Sequence, residues 1–98
     1  MRRLPGKFEV HLFSRVRDVL GVKKLELKVE AETLEELLLH LWKVLPRDAR
    51  SILFDKEGVL KPYFLIMVDD REMRLPKDLK FRLKEGASLK ILPPIGAG

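Results

Sequence analysis

Thr33-Leu34-Glu35-Glu36-Leu37-Leu38-Leu39-His40-Leu41-Trp42-Lys43-Val44-Leu45-Pro46 carries a start signal, an apolar face and a stop signal for one helix. The Thr33 hydroxyl can accept from the Glu36 N–H while the Glu36 carboxylate returns to the Thr33 N–H, the reciprocal pattern of a capping box. Leu34, Leu37, Leu38, Leu41, Trp42 and Leu45 recur at helical spacing and form one broad stripe facing a core. Pro46 ends the run, because it lacks a donor and its ring clashes with the preceding turn. His40 falls off the stripe and reads as solvated.

Upstream, Phe8-Glu9-Val10-His11-Leu12-Phe13 alternates for most of its length, and Leu25, Leu27 and Val29 alternate with Glu26, Lys28 and Glu30, so both stretches read as half-buried strands. Arg15-Val16-Arg17-Asp18-Val19-Leu20-Gly21 between them is too short and charged for a long helix. The two strands are therefore expected to form a hairpin with a wide loop that bends at Gly21. Downstream, residues 47–62 hold one short helical turn and a turn at Gly58. Phe64-Leu65-Ile66-Met67-Val68 is nearly continuous in apolar character and reads as a central strand covered on both faces.

Asp69-Asp70 marks a tight turn into the short strand Glu72-Met73-Arg74, since Asp tolerates positive φ better than most residues. Paired carboxylates also serve as catalytic dyads, but no partner base accompanies these. Residues 75–84 are irregular, with Leu79, Phe81 and Leu83 closing the core. Glu85-Gly86 turns the chain into Ser88-Leu89-Lys90-Ile91-Leu92, where Leu89 and Ile91 point one way. The order β-β-α-β-β-β implies an α+β roll, a mixed sheet packed on one main helix.

A chain of 98 residues is one small domain, residues 1–98, with room for a single core and not for a deep catalytic cavity. The absence of cysteine excludes disulfides, thiolate metal sites and a cysteine nucleophile. A net charge of +5 raises nucleic acid as a partner. The charges are interleaved with acids, as in Lys23-Lys24-Leu25-Glu26-Leu27-Lys28-Val29-Glu30, and no helix-turn-helix, zinc knuckle or aromatic RNA-binding run accompanies them, so no nucleic acid is expected. Met1-Arg2-Arg3-Leu4-Pro5-Gly6 has the charge of a signal-peptide start without the apolar region behind it. The expectation is a soluble cytoplasmic protein with no membrane segment. His11 alternates with core positions in its strand, so no metal site is expected. No phosphate loop, Ser/His/Asp set or metal-spaced residues are present, which argues against a self-sufficient enzyme.

What remains is the end of the sequence, Pro93-Pro94-Ile95-Gly96-Ala97-Gly98. The prolines stop the preceding strand and project the tail, and Gly96, Ala97 and Gly98 present almost no side chain. Such a tail can enter a channel too narrow for larger residues and place its carboxylate in a partner's active site, at the entropic cost of ordering glycine. The plainer alternative is a frayed terminus. Phe13, Leu65 and Met67 are expected to form an apolar partner-facing patch on the sheet face away from the helix.

With these features in place, almost the whole chain resembles the MoaD/ThiS family of ubiquitin-like sulfur carriers, and within it most closely the small subunits of molybdopterin synthase. The resemblance is carried by Val10-His11-Leu12-Phe13-Ser14-Arg15-Val16-Arg17-Asp18-Val19-Leu20-Gly21, by Thr33-Leu34-Glu35-Glu36-Leu37-Leu38 and by Leu60-Lys61-Pro62-Tyr63-Phe64-Leu65-Ile66-Met67-Val68-Asp69-Asp70. Leu83-Lys84-Glu85-Gly86-Ala87-Ser88-Leu89 and Leu92-Pro93-Pro94-Ile95-Gly96-Ala97-Gly98 complete it. The resemblance implies a ubiquitin-like β-grasp roll with residues 93–98 as a functional tail. It implies an E1-like enzyme that spends ATP to adenylate the Gly98 carboxylate, and a sulfur donor whose persulfide displaces AMP to leave a thiocarboxylate. It also implies a molybdopterin synthase large subunit, which Pro93, Pro94, Ile95, Gly96 and Ala97 would enter to deliver sulfur to a pterin precursor of the molybdenum or tungsten cofactor. No cofactor is bound by the carrier itself.

One departure stands out: the family generally ends Gly-Gly, and this chain ends Ala97-Gly98. The added methyl crowds a channel shaped for glycine, or forbids a positive φ there, without touching the carboxylate. Competing functions are a thiazole-pathway sulfur carrier, a protein modifier that forms isopeptide bonds, and an interaction module with an inert tail. Residues 47–62 favour the pterin carrier, because thiazole carriers resemble a shorter version of this fold.

Overall fold

Alternation puts Phe8, Val10 and Leu12 on one side of the first strand, and all three are buried in β1 (Gly6–Leu12) of the computed structural model, which describes residues 6–93. β2 (Lys24–Val29) runs antiparallel to β1, from Gly6 opposite Val29 to His11 opposite Lys24. On the other side of β1 lies β5 (Ser88–Leu92), parallel to it, with Val10 opposite Leu89 and Leu12 opposite Ile91. β3 (Leu65–Val68) pairs antiparallel with β5 and with β4 (Arg71–Met73). The five strands therefore lie in the order β2-β1-β5-β3-β4, and the last strand of the chain is the middle strand of the sheet. This mixed sheet packed on helices is the α+β roll expected from the element order.

Some expectations need correction. The wide loop between β1 and β2 contains a helix, α1 (Ser14–Leu20), closed by Gly21 at φ 74 whose N–H donates to the Arg17 carbonyl. Seven residues make a marginal helix in isolation; burial of Val16 in the common core supplies what propensity does not. The apolar run 64–68 is not covered on both faces. Ile66 and Val68 are buried, but Leu65 is 37% exposed, because the helices cover only one side of the sheet.

Asp69 and Asp70, at φ 48 and 68, form the expected turn between β3 and β4, the pair of left-handed residues a tight hairpin requires. The Asp69 carboxylate accepts from the Ser88 N–H at 2.9 Å while its own N–H donates to the Ser88 carbonyl at 3.0 Å. Lys90 donates to the Asp70 carboxylate at 3.0 Å. Both acids are thus occupied in tying the hairpin to β5.

α2 (Leu34–Val44) starts on the capping box read from the sequence: the Glu36 N–H donates to Thr33 Oγ1 at 3.3 Å, and the Thr33 N–H donates to Glu36 Oε1 at 3.1 Å. The Glu32 N–H adds a shorter bond at 2.7 Å and, with the Thr33 contacts, holds the Glu36 carboxyl below its ordinary value. Leu34, Leu37, Leu38, Leu41 and Leu45 are buried and Trp42 half-buried, so the stripe faces the core. His40 is off the stripe, with Nε2 3.1 Å from the Glu30 carbonyl. Leu45 is extended (φ −72, ψ 137), as the residue before a proline must be, and α2 stops there.

Residues 47–62 are more ordered than one helical turn. α3 (Arg47–Leu53) buries Ala49 and Leu53. Asp55 then gathers the Glu57 and Val59 N–H groups on Oδ1, and Gly58 turns at φ 81 against the indole of Trp42. Arg50 locks this unit to α2: its guanidinium donates to the Trp42 carbonyl at 2.9 Å and to the Leu45 carbonyl at 3.1 Å, and lies 4.3 Å from the Trp42 ring centroid. It therefore caps the carbonyl end of α2 and stacks on its tryptophan at once. Downstream, a short 3₁₀ helix (Lys77–Lys80) breaks the irregular stretch, and Leu79, Phe81 and Leu83 pack against the core as expected.

Lysine can reproduce the charge of Arg50 but not its planar fork. Arg50→Lys is expected to lower the unfolding free energy by about 1–2 kcal/mol and to shift Trp42 fluorescence toward a more solvated spectrum. Denaturant titration followed by tryptophan emission checks this, and an unchanged midpoint with an unchanged spectrum would refute the clamp.

Candidate functional site

Because β5 is central, the tail leaves from the middle of one end of the sheet. Leu92 and Pro93 are its root; the expected tail residues Pro94, Ile95, Gly96, Ala97 and Gly98 lie outside the described residues. The register fixes what surrounds that root on the face away from the helices. Leu92 stands opposite Leu65, Lys90 opposite both His11 and Met67, Met67 opposite Glu72, and Ser88 opposite Glu9.

The open face is consequently divided. Its tail end carries Leu65 and Leu92. Its other part is ionic, with Lys24 3.6 Å and His11 3.3 Å from the Glu9 carboxylate and Lys7 3.9 Å from Glu26. Such exposed pairs add little stability. They do keep that part wet, and leave the apolar end as the surface that gains from being covered.

Leu65 and Met67 share this face, as their spacing in β3 requires, but Met67 sits in a row between Lys90 and Glu72. Leu92, absent from the residues expected at the patch, is the direct neighbour of Leu65. Its parity with Lys90, opposite to buried Leu89 and Ile91, was the available signal. Phe13 lies past the end of β1 and lines a cleft of about 320 Å³ at the root of the tail, together with Phe64 and Pro93 as apolar wall and Arg15 and Lys61 as cations. Sequence reading does not find this cleft, because α1, α3, the segment before β3 and Pro93 each supply a part of it.

Among the described residues every buried side chain of the core is hydrophobic, and no group of His, Asp or Glu is arranged to hold a metal ion. Nor, among the described residues, is any helix long and apolar enough to cross a membrane.

The sequence profile of the ThiS family matches residues 10–98. A protein of Archaeoglobus fulgidus named "Putative sulfur carrier protein" is 27% identical over 86 residues, covering 86% of this chain and 97% of that protein. Among solved structures, the small archaeal modifier protein 1 (SAMP1) of Methanosarcina acetivorans superposes with a TM-score of 0.76 at 25% identity, over 96% of this chain and 98% of that one. The "Putative molybdopterin converting factor, subunit 1" of Pyrococcus furiosus gives a TM-score of 0.63 at 19% identity, over 92% of this chain and 99% of that one, a likeness of fold alone. The sheet order and helix placement are thus those of the ubiquitin-like β-grasp fold.

Leu65 and Ile66 are adjacent and face opposite ways, which separates docking from folding. Leu65→Asp should cost at most about 1 kcal/mol of stability, as exposed substitutions do, while weakening about tenfold or more any binding to the E1-like enzyme that the resemblance implies. Ile66→Asp buries an unpaired charge and should abolish the folded state. Thermal unfolding and calorimetric titration of both variants test this; unfolding of Leu65→Asp, or its binding as tightly as the parent, would refute the assignment.

Proposed function

Because the chain belongs to the ThiS family of ubiquitin-like sulfur carriers, we propose that it is the sulfur-carrying small subunit of a molybdopterin synthase, with the Gly98 carboxylate as its reactive group. The observation that carries this reading is the position of β5. A central strand, held on both edges by β1 and β3, runs straight into the tail and fixes its root against an open apolar surface.

A carboxylate is a poor electrophile. An E1-like enzyme would join it to the AMP portion of ATP with release of pyrophosphate, giving an acyl adenylate with a good leaving group. The terminal sulfur of a persulfide donor then attacks the acyl carbon and expels AMP. Cleavage of the resulting S–S bond by a thiol leaves the thiocarboxylate on Gly98 and a disulfide on the donor side. In the large subunit the thiocarboxylate gives its sulfur to a pterin precursor and water restores the carboxylate. Gly96, Ala97 and Gly98 are slim enough to pass a narrow channel, and enclosure of the acyl adenylate limits its hydrolysis.

The ordered unit of α3 and the Asp55 loop supports the pterin pathway over the thiazole pathway, whose carriers resemble a shorter chain. The likeness to the archaeal modifier SAMP1, at 25% identity over 96% of the chain, favours one second reading, attachment of Gly98 to lysine amines of other proteins. Both readings use the same activated carboxylate and differ in what attacks it.

The loaded chain, mixed with a molybdopterin synthase large subunit and pterin precursor, is expected to lose its sulfur to the pterin and return to the carboxylate. Deleting Gly98 should abolish this, because the carboxylate then ends one residue, about 3.5 Å, short of its target. Ala97→Gly should leave the rate unchanged or raise it. Full activity of the deletion variant would overturn the proposal, and isopeptide conjugates without pterin sulfuration would replace it with the modifier reading.

A further inference from the structure

The cleft at the root of the tail has a composition that the open sheet face lacks. Its wall is aromatic, from half-buried Phe13 and Phe64 and from Tyr63, which is 55% exposed with its ring centroid 5.0 Å from that of Phe64. Its charge is of one sign. Arg15 and Lys61 line it and no acidic side chain does. Lys61 is held in place by donating to the Ser51 carbonyl at 2.7 Å, while Arg15 is exposed and forms no ion pair with any described residue. Exposed tyrosine and arginine over an apolar floor is the side-chain chemistry that dominates binding energy at protein interfaces. The chain enters the cleft through Ser14 at φ 53, a left-handed conformation uncommon for a non-glycine residue.

The location decides what such a cleft meets. Pro93 is both the root of the tail and part of the cleft wall. A partner channel that takes the tail would begin near Pro93, and its rim would then face Arg15, Lys61 and Tyr63, which line the same cleft.

We propose that this cleft is a second docking point, separate from the Leu65–Leu92 surface, that takes a segment bearing an Asp or Glu beside an apolar side chain from the channel rim of the E1-like enzyme. The charge complementarity selects the partner and speeds its approach, and the aromatic wall holds it once seated. The inference rests on the sulfur-carrier reading, since it is that reading which brings a channel to the tail.

The test uses the full-length chain and its cognate E1-like enzyme, with association followed by stopped flow and sulfur loading by intact mass. Arg15→Glu is expected to slow association about tenfold at low salt, with the deficit shrinking as salt screens the charges, and to leave the loading rate at saturating enzyme unchanged. Arg15→Lys should retain most of the parent rate, and Tyr63→Ala should speed dissociation at any salt concentration. Both Arg15 and Tyr63 are exposed, and circular dichroism verifies that the variants are folded. Normal loading of the parent, with Arg15→Glu associating as fast as the parent and Tyr63→Ala dissociating no faster, would overturn the docking point alone. Failure of the parent to load would overturn the sulfur-carrier reading and the docking point together.

Discussion

The parallel pairing of β5 with β1 is the constraint on which the remaining architecture depends. A strand that comes last in the chain is placed in the middle of the sheet, with Leu89 and Ile91 buried and both backbone edges hydrogen-bonded. A chain end attached to an edge strand would inherit that strand's fraying. Here the root of the tail extends from the centre of the sheet, and the ties of Asp69 to Ser88 and of Asp70 to Lys90 anchor the first half of the strand. The body thus fixes where the tail begins, and under the proposed reading it acts as a handle for the Gly98 carboxylate.

One-sided covering of the sheet follows from the same arrangement. All three helices share a core on one face, and the other face is left to side chains that alternate with the core positions. Those side chains divide by position along the strands into an ionic part and an apolar end, and the apolar end coincides with the exit of the tail. Under the proposed reading, a partner that takes the tail would bury Leu65 and Leu92 at the same moment, and docking and insertion would reinforce each other.

The parts of this fold legible in the sequence are those specified by local chemistry. The capping box at Thr33, the stop at Pro46, the Asp69-Asp70 hairpin and the glycine turns each depend on residues within four positions of one another. α1 was not legible, because its seven residues owe their helix to burial of Val16 in a core assembled from distant segments. The one-sided exposure of β3 was also hidden, since a continuous apolar run has the same pattern whether its second face meets a helix or a future partner. On the open face, Leu65 is exposed as its spacing implies, and its neighbour Leu92, which the parity of β5 places on the same face, is not among the residues expected there. The cleft lined by Arg15, Lys61 and Tyr63 has no local signature, being assembled from separate elements.

The central claim is that Gly98 carries activated sulfur, and intact mass spectrometry of the unmodified chain tests it most directly. After incubation with ATP, a cognate E1-like enzyme and a persulfide sulfur donor, the account predicts a gain equal to the replacement of one oxygen by sulfur, located by fragmentation at Gly98 and absent when ATP is withheld. An unchanged mass, under conditions in which a Gly-Gly-ended carrier is loaded by the same enzyme, would contradict it.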